Sequence, residues 1–419
     1  THNLEVLGSS PRWPTSQKTP ARHWLAGVFY IFAQQNKIRR MKAETKSFLM
    51  QFITGTAFGA GAMALIFALC GNIFKDAGGA LGVALLVGWI FIAIAVAALL
   101  QIILHEAGHL IFGLLTGYRF LSFRAGNIAI VKQDGKLKLR KYSIAGTGGQ
   151  CLLSPPDKEA ADMPFFWYNA GGVLMNLITA AICTLVLLTT DLHYTADVFL
   201  TMMLVMGLLF AILNGIPMTS AGAGNDGQNI KALLRDRGLT VHLKKQLLAA
   251  EAISKGLRLS EMPEDYFIND ECTAYSDYIR MSSALTHLGL VIDKMQFDEA
   301  LQTARKYMEH ADEMLPLLKK ELTCEYLFLL MVTDGDNSLD INRYWNKELE
   351  QYAETYSRFM TSKSRLLFAK ALKIDGDRDK ASAILQETKR KQDGYMYPGE
   401  ARSDVAIMEY VMQQYDNKQ

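Results

Sequence analysis

The residues His105-Glu106-Ala107-Gly108-His109 have the types and spacing of a metal-dependent hydrolytic centre. On a helix, histidines four apart project from one face, one turn above each other, so both imidazoles can reach one metal ion. Glu106 points off that face but stays close enough to take a proton from a water beside the ion. Zinc suits this work, because three protein ligands leave a position open and bring the pKa of a water towards neutrality. Two histidines and a glutamate can also meet by chance on a solvated helix. Here they interrupt an uncharged apolar run from Leu81 to Leu115, and ionisable groups in such a run are read as functional by default.

A third ligand is sought in a carboxylate, since two neutral imidazoles would leave the ion uncompensated in a low-dielectric site. After Leu213 the chain reads Asn214-Gly-Ile-Pro217 and continues through Gly222, Gly224 and Asn225 to Asp226-Gly227. Pro217 and the glycines stop a helix, and irregular backbone at membrane depth is tolerated only where protein or a cavity covers it. Asp226 is the candidate ligand. The same Asn-Asp-Gly also reads as a turn capping a helix from about Gln228, and both roles can hold at once.

The elements that must position these groups are apolar stretches at 48–73, 81–115, 165–188 and 198–213. Four in series mark a polytopic membrane protein rather than a cleaved signal. As one helix, 81–115 would measure about 50 Å against a hydrocarbon core of roughly 30 Å. It must tilt, break near a glycine such as Gly88, or project. Basic residues cluster before the first stretch (Lys37, Arg39, Arg40, Lys42, Lys46) and again between Arg119 and Lys141, while 191–197 has none. The positive-inside rule then places the 117–164 loop and the C-terminus in the cytosol. His105 would lie about 15–18 Å inside the cytosolic end of its helix.

Within that loop, alternating residues on both sides of Asp134-Gly135 predict a β-hairpin over about 127–142. Lys136 to Tyr142 has cations on one face and leucines on the other, which reads as a solvated surface hairpin or as an edge strand receiving an extended peptide beside the metal. Residues 1–40 carry the flavour of a tag, leader or tethered peptide, with Trp24 to Phe32 too short to span a bilayer. From Gln228 the sequence turns charged and amphipathic. Leu327 to Asp336 resembles Leu367 to Asp377, with Asp-Gly-Asp turns about 40 residues apart, and this predicts stacked helical hairpins of tetratricopeptide type.

Composition adds exclusions. Half of the 419 residues are apolar and the net charge is +2, with no extended basic tract to suggest nucleic acid. The five cysteines are scattered without a CxxC pair, which argues against a disulfide framework and a cysteine zinc site.

His-Glu-x-x-His in one apolar span and Asp-Gly after a later one resemble the site-2 protease family of intramembrane zinc metalloproteases. The resemblance covers about Leu81 to Gly227, a third of the chain. It implies zinc held by His105, His109 and Asp226, with Glu106 as catalytic acid/base. The family's glycine-rich middle helix is matched by Asn169-Ala-Gly171-Gly172-Val-Leu-Met-Asn176, with Gly172 where a proline is common, and implies that Asn176 binds substrate or the oxyanion. The family's Asn-Pro-x-Pro-x-x-Asp-Gly is compact, whereas twelve positions separate Asn214 from Asp226.

The resulting expectation is an all-α polytopic membrane protein with a small β-hairpin insertion. A metalloprotease domain at 41–227 is followed by a cytosolic helical-repeat domain at 228–419. The substrate would be a transmembrane or membrane-tethered peptide, in contact with the lipid bilayer, with a protein partner on the helical tail. A catalytically silent membrane scaffold is the alternative, and a metal transporter would account for the histidines without Glu106 and Asp226.

Overall fold

The apolar run that carries the histidines forms one helix, α1 (Ala80–Leu115), in a computed structural model of the chain. The structure describes residues 79–418 apart from 134, 143–147, 221, 222, 270 and 271. The expected stretch at 48–73 and residues 1–40 lie outside the described residues. At 36 residues α1 is about 54 Å long and does not break at Gly88, which has open space around it. Its buried residues Leu86, Ala93, Ala97, Gln101, His105 and His109 recur every four or seven positions, a single helical stripe. The opposite face leaves Leu85, Phe91 and Leu115 exposed.

That stripe meets α2 (Phe165–Thr189) and α3 (Tyr194–Gly215), which also pack on each other as a three-helix bundle. Among the described residues, these regions supply three helices long and apolar enough to cross a membrane. Small residues set the closeness of the bundle. A Cβ on Gly108 would stand 2.2 Å from the Gly171 carbonyl oxygen, so α1 and α2 touch backbone to backbone there.

α1 ends at Thr116, and Gly117, at φ +96°, turns the chain into a four-stranded antiparallel sheet of order β3-β2-β1-β4. Its strands are β1 (Arg119–Ala125), β2 (Ile128–Gln133), β3 (Lys136–Lys141) and β4 (Gly149–Ser154). The expected hairpin is present as β2–β3, with Ile130 opposite Leu139, but it is only the outer half of the sheet. β1 escapes an alternation test because its register shifts between Phe120 and Ser122. Ala129 and Val131 are buried with Tyr142 and Met396, while Ile128, Ile130, Leu137 and Leu139 stand exposed on the other face.

Beyond α3, a short hairpin of β5 (Thr219–Ser220) and β6 (Ala223–Gly224) leads to α4 (Asp226–Arg235). The remaining helices are α5 (Leu239–Ser254), α6 (Tyr278–Asp293), α7 (Phe297–Glu309), α8 (Pro316–Val332), α9 (Ser338–Tyr344), α10 (Lys347–Tyr356), α11 (Thr361–Lys373), α12 (Arg378–Lys391) and α13 (Pro398–Lys418). The recurrent turns hold: α6–α7, α8–α9 and α11–α12 are each joined through a residue of positive φ, Met295, Gly335 and Gly376. Leu288, Ile292, Ala304, Leu322, Phe328 and Phe368 share the core these helices enclose. A second core crosses position 228, joining Leu153 and Phe165 to Leu233, Leu239 and Leu247.

Candidate metal centre

Each histidine is oriented by what its Nδ1 meets. His105 Nδ1 lies 2.7 Å from Asn176 Oδ1, and His109 Nδ1 lies 2.7 Å from the Tyr168 carbonyl oxygen. A carbonyl oxygen only accepts, so His109 must carry its proton on Nδ1. The same holds for His105 once the orientation of Asn176 is known. Asn176 Nδ2 donates to the Gln101 carbonyl at 3.1 Å and to Gln101 Oε1 at 2.7 Å, while Gln101 Nε2 donates to the Met203 carbonyl at 2.9 Å. The chain from Met203 through Gln101 and Asn176 therefore leaves Oδ1, an acceptor, facing His105.

With both protons on Nδ1, each neutral ring presents an unprotonated Nε2. The two Nε2 atoms stand 3.2 Å apart. Asp226 Oδ2 lies 3.0 Å from the Nε2 of His105 and 3.5 Å from that of His109, and this buried oxygen has no hydrogen-bond donor aligned to it. Three lone-pair donors thus converge with nothing to separate them. Bonds of about 2.0–2.1 Å at tetrahedral angles set donors about 3.3 Å apart, which matches the three distances. Among the described residues this is the one group of three metal-ligating side chains so arranged. The residues present fit a zinc-sized divalent cation.

Asp226 reaches the histidines from a turn that its neighbour holds in place. Asn225 ties its base: Nδ2 donates to the carbonyls of Leu213 and Ile216 at 2.6 Å each, and Oδ1 accepts from the Met218 amide at 3.1 Å. The same Oδ1 accepts from the Gln228 amide at 2.9 Å and so caps α4. Cap and ligand are therefore neighbours, Asn225 and Asp226, rather than one residue. Gly227 lets the start of α4 press on the end of α3, since a Cβ there would be 2.1 Å from the Gly215 carbonyl oxygen. Gly172 makes room for the rings. A Cβ at that position would stand 2.6 Å from His105 Nε2 and 2.7 Å from His109 Nε2.

Glu106 is 8% exposed and, among the described residues, neither donates nor accepts a hydrogen bond. Its carboxylate lies against Gly149 at the start of β4, where a Cβ would come within 2.4 Å of Oε1. The edge strand beside the centre is therefore β4, and β3 lies at the opposite edge of the sheet. Arg124, 1% exposed, donates to the Gly149 carbonyl at 2.9 Å and to that of Gly126, holding β4 in place.

The structure thus gathers His105, His109 and Asp226, sets Glu106 alongside, and places Asn176 behind His105 with both ends of its amide engaged. An oxyanion role for Asn176 would need a free donor, and its two N–H groups both go to Gln101. Sequence reasoning missed Gln101 and the Tyr168 carbonyl, where a glutamine within an apolar run was the one signal available, while the Asn-Asp-Gly cap it expected near Gln228 is made by Asn225. No protein-family model, curated protein or solved structure matches the chain.

Two substitutions separate orientation from ligation. Asn176→Leu should lower zinc affinity about 10–100-fold although every ligand remains, as loss of a partner behind a ligating histidine does elsewhere. Gly172→Val should lose stoichiometric zinc by displacing both rings. Metal content by atomic absorption after dialysis against a buffered zinc series reads both, and full zinc occupancy in Gly172→Val would show that the rings do not converge as described.

Proposed function

We propose that this chain is an intramembrane zinc metalloprotease of the site-2 type, hydrolysing a peptide bond in a membrane-embedded or membrane-tethered substrate. The observation that carries this reading is the convergence of His105 Nε2, His109 Nε2 and Asp226 Oδ2 beside Glu106, which is without a hydrogen bond among the described residues. A divalent ion at such a centre supplies Lewis-acid polarisation of a carbonyl and lowers the pKa of a water. With their Nδ1 protons held, His105 and His109 would offer Nε2 lone pairs to the ion, and Asp226 would bring the negative charge. Glu106, whose carboxylate has no hydrogen-bond donor among the described residues, takes the proton of the attacking water and returns it to the leaving amine.

The surroundings favour a polypeptide substrate. A helical substrate keeps its amides within its own hydrogen bonds and must be extended before a peptide bond is accessible. The Gly149 end of β4 adjoins Glu106 and lies at a sheet edge, where an extended chain can add as a further strand. A transporter would need neither such a carboxylate beside the ligands nor a strand edge at the metal.

In this reading α1, α2 and α3 cross the bilayer, which covers their exposed apolar faces, and the protein is multi-pass with its C-terminal helices in the cytosol. Those helices form tetratricopeptide-like hairpins and offer a surface for a protein partner. Glu106 lies towards the C-terminal end of α1, ten residues from the turn at Thr116, so water enters from the side of the sheet.

Glu106→Gln should retain zinc and reduce cleavage of a membrane peptide by about 10²–10⁴-fold, the range of general-base catalysis. His105→Ala, His109→Ala and Asp226→Ala should lose metal and cleavage together. Peptide fragments and zinc content are measured on the same purified samples. Wild-type cleavage by either histidine variant would remove the protease reading, and full cleavage by Glu106→Gln would remove the role of that carboxylate. Orientation is checked in intact cells: cysteines at Lys138 and Gly394 should be shielded from an impermeant thiol reagent added outside, and one at Tyr194 labelled. Labelling at Lys138 inverts the topology.

A further inference from the structure

The C-terminal helices enclose a second chemical feature, remote in kind from the metal centre. A cavity of about 350 Å³ opens among α5, α6, α8, α11 and α13, within the size range of small-ligand pockets. Its lining is mixed. Ile253, Leu259, Leu285, Leu318 and Met360 supply apolar surface, and Glu321, Glu325, Glu400 and Asp404 supply carboxylates, with Arg365 as the lining cation.

Three of the four are paired. Glu321 Oε2 lies 2.7 Å from Lys363 Nζ, and Lys363 is fully buried. Asp404 Oδ1 lies 2.9 Å from Arg365 Nη1, and its Oδ2 accepts from Thr361 at 2.5 Å. Glu325 pairs with Arg365 Nη2. Lys363 is therefore committed to one carboxylate and Arg365 is shared by two. Glu400, one turn before Asp404 on α13, has neither ion pair nor hydrogen bond among the described residues. Four carboxylates thus meet two cations, and among the described residues Glu400 is the one of the four without an ion pair.

We propose that this cavity binds an ammonium or guanidinium group carried on an aliphatic stem, with Glu400 as its counter-ion and the apolar surface against the stem. The electrostatics point the same way. Burial, then the neighbouring Asp404, push the Glu400 carboxyl well above its usual range; Glu321 on α8 adds to this, while Lys363 and Arg365 on α11 oppose it. The phenols of Tyr142 and Tyr397 also face Glu400, and what its ionised form lacks there is a cation of its own. Entry of one favours the ionised form, so at neutral pH binding releases a proton, and affinity rises with pH until Glu400 is ionised in the empty site. Two sources share this chemistry: a free alkylamine or guanidine, and a Lys or Arg side chain of a polypeptide. The inference does not rest on the protease reading.

Calorimetric titration of the full chain in detergent tests it, with agmatine, with a capped pentapeptide bearing a central lysine, and with glutarate as an anionic control. Each titration is run in two buffers of different ionisation heat. A cationic probe should bind at one site with a heat that depends on the buffer. Glu400→Gln should weaken binding about tenfold or more and remove the buffer dependence. Met360→Trp, which fills the cavity without changing charge, should weaken it as well. Binding of the peptide but not agmatine assigns the site to a polypeptide, and the reverse to a free amine. The proposal is overturned if neither cation binds, if both variants bind as the wild type does, or if glutarate binds as well as the cations.

Discussion

Everything at the candidate metal centre depends on two imidazole protons being held on the side away from Asp226. A histidine that can place its proton on either nitrogen is an ambiguous ligand. One whose Nδ1–H is bonded to an acceptor that cannot donate in return is not. Both acceptors come from α2: the Tyr168 carbonyl and Asn176 Oδ1, two turns apart on the same helix as His105 and His109 are one turn apart on α1. The match of spacings requires α1 and α2 to approach until their backbones touch, which Gly108 and Gly171 permit. Asn176 is in turn fixed by Gln101, and Gln101 by a carbonyl of α3. The three-helix bundle is thus the outer shell of the site, and a buried amide network of this kind stabilises only when every member is satisfied.

Asp226 arrives from another direction and by another device. Its position is set by the preceding residue, because Asn225 makes four hydrogen bonds to Leu213, Ile216, Met218 and Gln228. A carboxylate brought into a poorly solvated site is costly without a counter-charge, and its Oδ2 has no aligned donor in return. A helix N-terminus beside it offsets part of that, since Asp226 is the first residue of α4. Asn225 and Asp226 therefore divide the labour that one Asx residue often performs at a helix start: one satisfies the backbone, the other keeps its oxygen for the site.

The parts of this design that were legible in the sequence are those written in local spacing. His105, Glu106 and His109 declare themselves through the helical period and the absence of other charge around them. Asp134-Gly135 between alternating segments announced the β2–β3 pair, and the Asp-Gly-Asp turns announced the joints after α8 and α11. The rest rests on partners far along the chain. Asn176 meets His105 across 71 positions and Gln101 meets Met203 across 102, and no local pattern encodes either pairing. β4 is a six-residue strand whose neighbour, β1, carries a register shift, so neither showed a clean period of two. The faces of the hairpin were read correctly as apolar and cationic. Which of them turns towards the C-terminal helices is decided by tertiary contacts with Tyr142, Met396 and Tyr397, not by the strand itself.

Those contacts bear on why the helical tail is present at all. The change in composition near Gln228 marks a change of environment, but the packing does not stop there. Leu153 of β4 and Phe165 of α2 share a core with Leu233, Leu239 and Leu247 from beyond that point. On the other side of the sheet, the ring of Tyr397 meets that of Tyr142 edge to face at 5.5 Å. The sheet is held between these two patches, and its last strand is the one that abuts Glu106. Cutting the chain at 228 would expose both patches, at about 25 cal/mol for each Å² of apolar surface uncovered, and would remove the residues that pack on Leu153 of β4. The C-terminal helices are accordingly part of what holds the strand against Glu106. α13 packs on α5 and α5 packs on β4, so a ligand or partner that shifts α13 has a packed path to that strand.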